Sequence, residues 1–173
     1  MTFRPSLTAS RSRRCAGEFT DAVMMRDYDR LALLFTPDGA LRMPNIPAEL
    51  ASREEIRAWG ERVPALVDYL VQTTHPGTIQ LDGDTASGRA SIQELVRARD
   101  GRTELNFAIY HDRYQRTGGG WKFTKRVFEV RYLDTTPLAG SAPRTEGDAG
   151  DPPGEDPLAG DPPAEDTSPA EGS

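Results

Sequence analysis

Two side chains stand out as able to do chemistry, Glu94 and Tyr110, and both are placed by alternation. Glu94 follows Ala90 and Ile92 at every second residue, and alternate residues of a strand share a face. A carboxyl group among apolar neighbours has a raised pKa and can give or take a proton. The competing reading is a solvated position at the strand's open end. Tyr110 follows Asn106 and Ala108 at the same spacing, and its hydroxyl can donate to a substrate oxygen. Of the two histidines, His111 falls on the face opposite Tyr110 and reads as structural or as a subunit contact. His75, taken alone, reads as a core histidine. Cys15 has no neighbouring His or Asp and is given no nucleophilic role. A single cysteine excludes an internal disulfide and a cysteine-based metal cluster, two histidines argue against a histidine-rich metal site, and no glycine loop of the phosphate-cradling kind is present.

The elements that must hold these residues occupy part of the chain. The 173 residues carry a formal charge of −6 and are 36% hydrophobic. Residues 134–173 hold 8 of the 14 prolines, 10 acidic residues, one base (Arg144) and no aromatic residue. The remainder has 20 bases and 17 acids, a charge of +3. Gly150-Asp151-Pro152-Pro153-Gly154-Glu155-Asp156 returns as Gly160-Asp161-Pro162-Pro163-Ala164-Glu165-Asp166. Such a segment has too little apolar surface to offset ordering entropy, and its prolines do not fit helix interiors or central strands. It reads as a disordered acidic tail that aids solubility, or as a segment that docks on a basic partner. The expected organisation is a flexible arm over 1–14, one domain over 15–133 and the tail over 134–173. No apolar run approaches the roughly 18–20 residues of a membrane span. The basic start, Met1–Arg14, is not followed by an apolar run of signal-peptide length. A charge of +3 without a basic stripe argues against nucleic acid. The expected compartment is a reducing cytoplasm.

Residues 15–35 read as helix, with Phe19, Val23, Met24, Tyr28, Leu31 and Leu34/Phe35 at helical spacing and a break near Arg26-Asp27. Thr36-Pro37-Asp38-Gly39 is turn chemistry that stops the second helix. Ala40–Met43 is a short strand. Ser52-Arg53-Glu54-Glu55 is a capping box opening a helix with Ile56, Trp59 and Val63 on one face, ended or kinked by Pro64. Asp82-Gly83, Asp100-Gly101 and Gly118-Gly119-Gly120 then separate four long strands, Val71–Leu81, Thr85–Arg99, Thr103–Arg116 and Trp121–Leu133. Helices first and strands last predict an α+β fold. On the third long strand Leu105, Phe107 and Ile109 share one face, and Asn106, Ala108 and Tyr110 the other. A sheet apolar on both faces needs two covers. The helices supply one, and a second copy of the chain is expected to supply the other, giving a homodimer through the sheet, unless loops and the N-terminal arm cover it.

A family resemblance rests on Arg26-Asp27-Tyr28-Asp29-Arg30-Leu31 with Leu34-Phe35-Thr36-Pro37-Asp38-Gly39, on Ser52–Trp59, on Thr74-His75, on Leu81–Gly88, on Tyr110–Tyr114, and on Gly120-Trp121-Lys122-Phe123 with Arg126. In this order they resemble a SnoaL-like domain of the nuclear transport factor two-like superfamily. The resemblance implies a cone-shaped barrel: three N-terminal helices packed on a curved antiparallel sheet of four long strands plus one short one. It also implies a cofactor-free apolar pocket inside the cone. Members include polyketide cyclases, dehydratases, a dehydrochlorinase, steroid isomerases, epoxide-opening enzymes and inert binding modules. One branch uses a His–Asp dyad, in which His takes a carbon-bound proton and Asp orients it. His75 matches the histidine. The aspartate's position is Met24, and a tyrosine common before it is Phe19, so the dyad does not carry over intact. Arg126 matches an arginine able to reach the pocket and bind a developing oxyanion, or else forms an ion pair on the sheet. The implied catalytic set is therefore His75, Arg126, Tyr110 and Glu94. The pocket wall is Phe19, Met24, Tyr28, Trp59, Ile92, Asn106, Ala108 and Phe128.

The leading functional reading is a cofactor-free enzyme acting on a hydrophobic polyketide or terpenoid intermediate by acid/base-assisted cyclisation, isomerisation or epoxide opening, as in antibiotic biosynthesis. The alternatives are a dehydratase-type lyase and a non-catalytic binding or accessory module.

Overall fold

The structure, a computed structural model, describes residues 7–46 and 48–141. The expected tail lies outside the described residues from 142 onward. The elements run α1 (Leu7–Met24), α2 (Tyr28–Leu33), β1 (Phe35–Met43), β2 (Ala48–Leu50), α3 (Arg53–Leu66), β3 (Val67–Asp82), β4 (Thr85–Ala98), β5 (Thr103–Thr117) and β6 (Gly120–Asp134). The strands form one curved sheet in the order β2-β1-β6-β5-β4-β3. This is the α+β cone expected, with helices against its inner face. Among the described residues no helix is long and apolar enough to cross a membrane.

The elements differ from the reading of the sequence in several places, among them the start of β3 at Val67 instead of Val71. α1 starts at Leu7, inside the segment expected to be a flexible arm. The short strand is longer and has a companion, β2. β1 runs parallel to β6, so the sheet is mixed rather than wholly antiparallel. The turn residues explain the longer strand. Between Phe35 and Ala40 β1 advances while β6 moves only from Phe123 to Lys125, so Thr36-Pro37-Asp38-Gly39 forms a bulge inside a strand rather than its start. A Cβ at Gly39 would lie 2.9 Å from Phe123 O, which fixes glycine there.

The break between α1 and α2 has a local cause. Arg26 N donates to Val23 O at 3.2 Å and Asp27 N to Ala22 O at 2.9 Å, with Arg26 left-handed at φ 56°. This is the Schellman pattern of a helix C-terminus. Asp27 then caps α2 by accepting from Arg30 N at 3.0 Å. At α3, Ser52 Oγ accepts from Glu55 N at 3.2 Å as the capping box requires, but Glu55 reaches Ala51 N (2.7 Å) rather than Ser52. Gly60 lets α3 meet α2, since a Cβ there would lie 2.5 Å from the Tyr28 ring.

Each of the three expected hairpins is present, closed by Gly83, Gly101 and Gly120 at positive φ. Register then decides which side chains face the helices. On β5, Asn106, Ala108, Tyr110, Asp112 and Tyr114 are buried and point inward, while Phe107, His111 and Arg113 are exposed on the outer face. The core joins Phe19 and Ala22 of α1 to Phe35, Ile92, Tyr110, Phe123 and Phe128.

Candidate functional site

The inner face of the sheet is built in layers. At the end closed by the Gly83 and Gly118-Gly119 turns lie Tyr114, Trp121 and Phe123, all buried. Next come Asp112 and Arg126, opposite each other in the register. Arg126 Nε and Nη2 donate to the two Asp112 oxygens, each at 2.8 Å, and Tyr114 Oη donates to Asp112 Oδ2 at 2.8 Å. The guanidinium carbon lies 3.9, 4.2 and 4.4 Å from the ring centroids of Tyr110, Phe123 and Phe19. Burial alone would pull the Arg126 pKa down, but the Asp112 charge and hydrogen bonds prevail and push it up. Arg126 is thus the ion pair on the sheet and not an arm reaching into an open pocket. β6 has a register shift at Thr124, between Phe123 and Lys125. That bulge turns Arg126 to the inner face, because a one-residue slip exchanges faces.

Above the ion pair sits Tyr110, with Phe19 and Phe128 each 5.5 Å away, centroid to centroid. Burial pushes its phenol pKa up, so the hydroxyl stays protonated at neutral pH. Ile92 and Ala108 form the next layer, both buried. One layer further out, toward the Asp100-Gly101 turn, a polar cluster closes the apolar stack. Gln72, Glu94 and Asn106 are neighbours across β3, β4 and β5. Gln72 Nε2 donates to Glu94 Oε2 at 2.8 Å and Asn106 Nδ2 to Glu94 Oε1 at 3.3 Å. Gln72 Nε2 also lies 3.4 Å from Tyr110 Oη, and Gln72 Oε1 accepts from Thr20 Oγ1 at 3.0 Å. Thr20 Oγ1 in turn is hydrogen-bonded to Thr74 Oγ1. Glu94 is partly exposed, whereas Gln72 and Asn106 are buried. Burial raises the Glu94 pKa, and the two amide donors offset part of the rise.

The cluster brings together Glu94, Tyr110 and Asn106 from the expected site, and leaves His75 out. His75 is exposed and sits opposite Ser91, on the outer face. The reason is a register shift. From the Gly83 turn the pairs run to Ile79 opposite Gly88, then resume with Pro76 opposite Ala90. Without that shift His75 would oppose Ile92 and point inward; with it, Gln72 and Thr74 take the inner face. A Cβ at Gly77 would lie 2.3 Å from Arg89 O, so glycine is what permits the irregularity. Met24 faces this strand too, but its contact is with Gln72, whose backbone N–H donates to Met24 Sδ at 3.1 Å. Of the expected wall, Phe19, Ile92, Ala108 and Phe128 are buried core, and Trp59 and Tyr28 are partly buried against it. Gln72, Thr20 and Asp112 were missed. For Asp112 the signal was plain alternation, two residues past Tyr110; Gln72 is turned inward by the irregularity in β3, which alternation steps over, and Thr20 lies on α1. His111 is on the outer face as expected, its Nε2 2.5 Å from Glu129 Oε2. Burial pushes the Cys15 thiol up to about 11, in keeping with no nucleophilic role. Among the described residues no three His, Cys, Asp or Glu side chains gather in a way that could hold a metal ion.

The arrangement is a carboxyl group held by two amide donors at the outer end of an apolar stack, with a phenol one step deeper. It can exchange a proton and it can hydrogen-bond an oxygen. The family model described as SnoaL-like domain matches residues 18–127. No curated protein matches the sequence. Among solved structures, LinA is 25% identical with a TM-score of 0.68, covering 79% of this chain and 95% of its own. Hexachlorocyclohexane dehydrochlorinase LinA-type3 from Novosphingobium barchaimii LL02 is 21% identical with a TM-score of 0.66, covering 82% and 99%. A ketosteroid isomerase-like protein from Erwinia carotovora atroseptica is 14% identical with a TM-score of 0.65, covering 74% and 99%. The last two likenesses are of fold alone.

Proposed function

The chain belongs to the SnoaL-like domain family, and from that premise we propose that it is a cofactor-free enzyme of proton transfer, acting on a hydrophobic intermediate of the polyketide or terpenoid kind by cyclisation, isomerisation or epoxide opening. One observation carries the reading: the Glu94 carboxyl, its pKa raised by burial, is gripped through both oxygens by Gln72 and Asn106. As a carboxylate Glu94 takes a carbon-bound proton beside a carbonyl and returns it at a second carbon, or to the new alkoxide of a ring closure. As an acid it gives its proton to an epoxide oxygen as the C–O bond breaks and a hydroxyl of the same substrate bonds to the freed carbon, and the carboxylate then takes the proton that hydroxyl loses. In each case the protons balance within the substrate and one carboxyl group. Asn106 and Tyr110 are the groups that hydrogen-bond substrate oxygen.

The outer face, with Val71, Phe107 and Tyr132 exposed, is the surface through which we expect two copies to pair, and light scattering of the full chain tests that. Catalysis is tested by metabolite profiling of strains carrying wild type, Glu94→Gln and His75→Ala. Glu94→Gln, its folding checked by thermal melt, is expected to cut turnover by about 10²–10⁴-fold, and His75→Ala to leave it unchanged. An accumulating compound of the product's mass means isomerisation or cyclisation. One heavier by a water means the dehydratase alternative. Full turnover in Glu94→Gln would overturn the assignment. The second reading, a binding module, is favoured by Met24 meeting Gln72 in place of a proton-transfer pair. It predicts ligand binding without turnover.

A further inference from the structure

The outer face of the sheet divides into an apolar part and a basic part. Val71, Phe107 and Tyr132 are exposed toward the Asp100-Gly101 turn. Toward the opposite turns the same face holds a hollow of about 430 Å³ whose walls include Ser87, Arg89, His111, Arg113 and Lys125. Register arranges these in two rows. Ser87, Arg113 and Lys125 lie side by side across β4, β5 and β6, and Arg89 lies beside His111 two residues along. Two residues of strand separate the rows by roughly 7 Å.

The charges in this hollow are unbalanced. Arg113 stands directly opposite Lys125, and like charges directly opposite in an antiparallel pair are destabilising. Among the described residues Arg89, Arg113 and Lys125 have no acidic partner, whereas Arg30, Arg42, Arg57, Arg97, Arg102, Arg116, Arg126 and Arg131 each reach a carboxylate. The nearby acids are engaged elsewhere. Asp112 turns inward to Arg126, Glu129 is shared by His111 and Arg131, and Asp84 meets Arg116. Arg89, Arg113, Lys125 and the Ser87 hydroxyl therefore line one space, and the carboxylate beside it, Glu129, is held by His111 and Arg131.

We infer that this hollow is a binding site for the phosphate group of a phosphorylated small molecule, on the opposite face of the sheet from Glu94. A phosphate dianion would take charge-assisted hydrogen bonds from two guanidinium groups and an ammonium, and it would cancel the Arg113–Lys125 repulsion. The volume falls within the roughly 300–1,000 Å³ of small-molecule sites, which leaves room for the organic part of the ligand.

The test uses the full chain, titrated with inorganic phosphate and with phenyl phosphate, and with chloride matched in ionic strength. Binding is read by calorimetry and by the rise in melting temperature. Saturable binding of both phosphates is expected, with phenyl phosphate the tighter. Arg113→Gln and Lys125→Gln should each weaken it at least tenfold while raising the melting temperature of the unliganded protein. Arg62→Gln, which removes an exposed arginine on α3, should bind as wild type does. Chloride acting as well as phosphate, or undiminished binding in Arg113→Gln and Lys125→Gln, would overturn the inference.

Discussion

Asn106 gives one half of its amide to Glu94 and leaves the other half unspent. Its Nδ2 donates to Glu94 Oε1 at 3.3 Å, while its buried Oδ1 has no hydrogen-bond partner among the described residues. A carboxylate accepts from two amide donors without conflict. A carboxylic acid carries a hydrogen of its own, which must meet an acceptor. Turning the Asn106 amide by half a rotation presents Oδ1 to that hydrogen. Gln72 is held differently, because its oxygen already accepts from Thr20. Gln72 is the fixed partner of Glu94 and Asn106 the adjustable one, so the pair accommodates both protonation states that proton transfer requires.

The raised pKa of Glu94 makes stability depend on pH in a defined direction. The folded protein holds this proton more tightly than the unfolded chain, whose value is the ordinary 4.5. Stability from this group is therefore complete below 4.5 and is lost as pH rises through the higher folded value. Glu94→Gln removes the titration. Thermal melts across a pH series should show wild type losing stability above about pH 4.5 relative to Glu94→Gln, with the gap constant once Glu94 has ionised. Parallel curves for the two proteins would show that Glu94 ionises as freely folded as unfolded.

The Arg126–Asp112 pair predicts a non-additive pair of substitutions. Both side chains are fully buried, so Arg126→Met leaves Asp112 with an uncompensated buried charge. The expected loss is about 3–5 kcal/mol. Adding Asp112→Leu removes that charge and places apolar groups in the aromatic shell of Phe19, Tyr110 and Phe123. It also leaves the Tyr114 hydroxyl without its acceptor, which costs about 1–3 kcal/mol. The double variant should therefore lose less than Arg126→Met alone in urea denaturation. Additive losses would mean that the pair is not coupled.

How much of this was legible in the sequence divides at the bulges. The Asp82-Gly83, Asp100-Gly101 and triple-glycine turns were correctly read, and alternation from them put Ile92, Glu94, Asn106, Ala108 and Tyr110 on one inner face, where they are. His75 was offered by the family resemblance, and counting back from Gly83 would have set it inward too; the irregularity between Pro76 and Ile79 exchanges the faces of the residues from Pro76 back to Tyr69. Counting could not place Arg126 for the same kind of reason, the slip at Thr124. Alternation is a local rule, whereas a bulge depends on what the neighbouring strand does. Glycine at 77, which must approach Arg89 O, was the one trace of it in the sequence. Thr36-Pro37-Asp38-Gly39 shows the converse. Its turn chemistry is real, but it acts inside β1 because parallel pairing with β6 continues on either side.

Gly60 gives a substitution whose sign reverses with its neighbour. In the interior of a helix alanine is favoured over glycine by about 1 kcal/mol, so Gly60→Ala should stabilise α3 if nothing stood against it. The Tyr28 ring does, at 2.5 Å from where the Cβ would be. Moving a partly buried ring costs about 1–3 kcal/mol, which outweighs the helix preference. Gly60→Ala is therefore expected to destabilise the protein by about 1 kcal/mol. In a Tyr28→Ala background the obstacle is gone, and the same substitution should become stabilising by up to about 1 kcal/mol. Urea titrations of the four proteins in this cycle measure both signs. If Gly60→Ala has the same effect in both backgrounds, the contact of α2 with α3 through Tyr28 is not what requires glycine at this position.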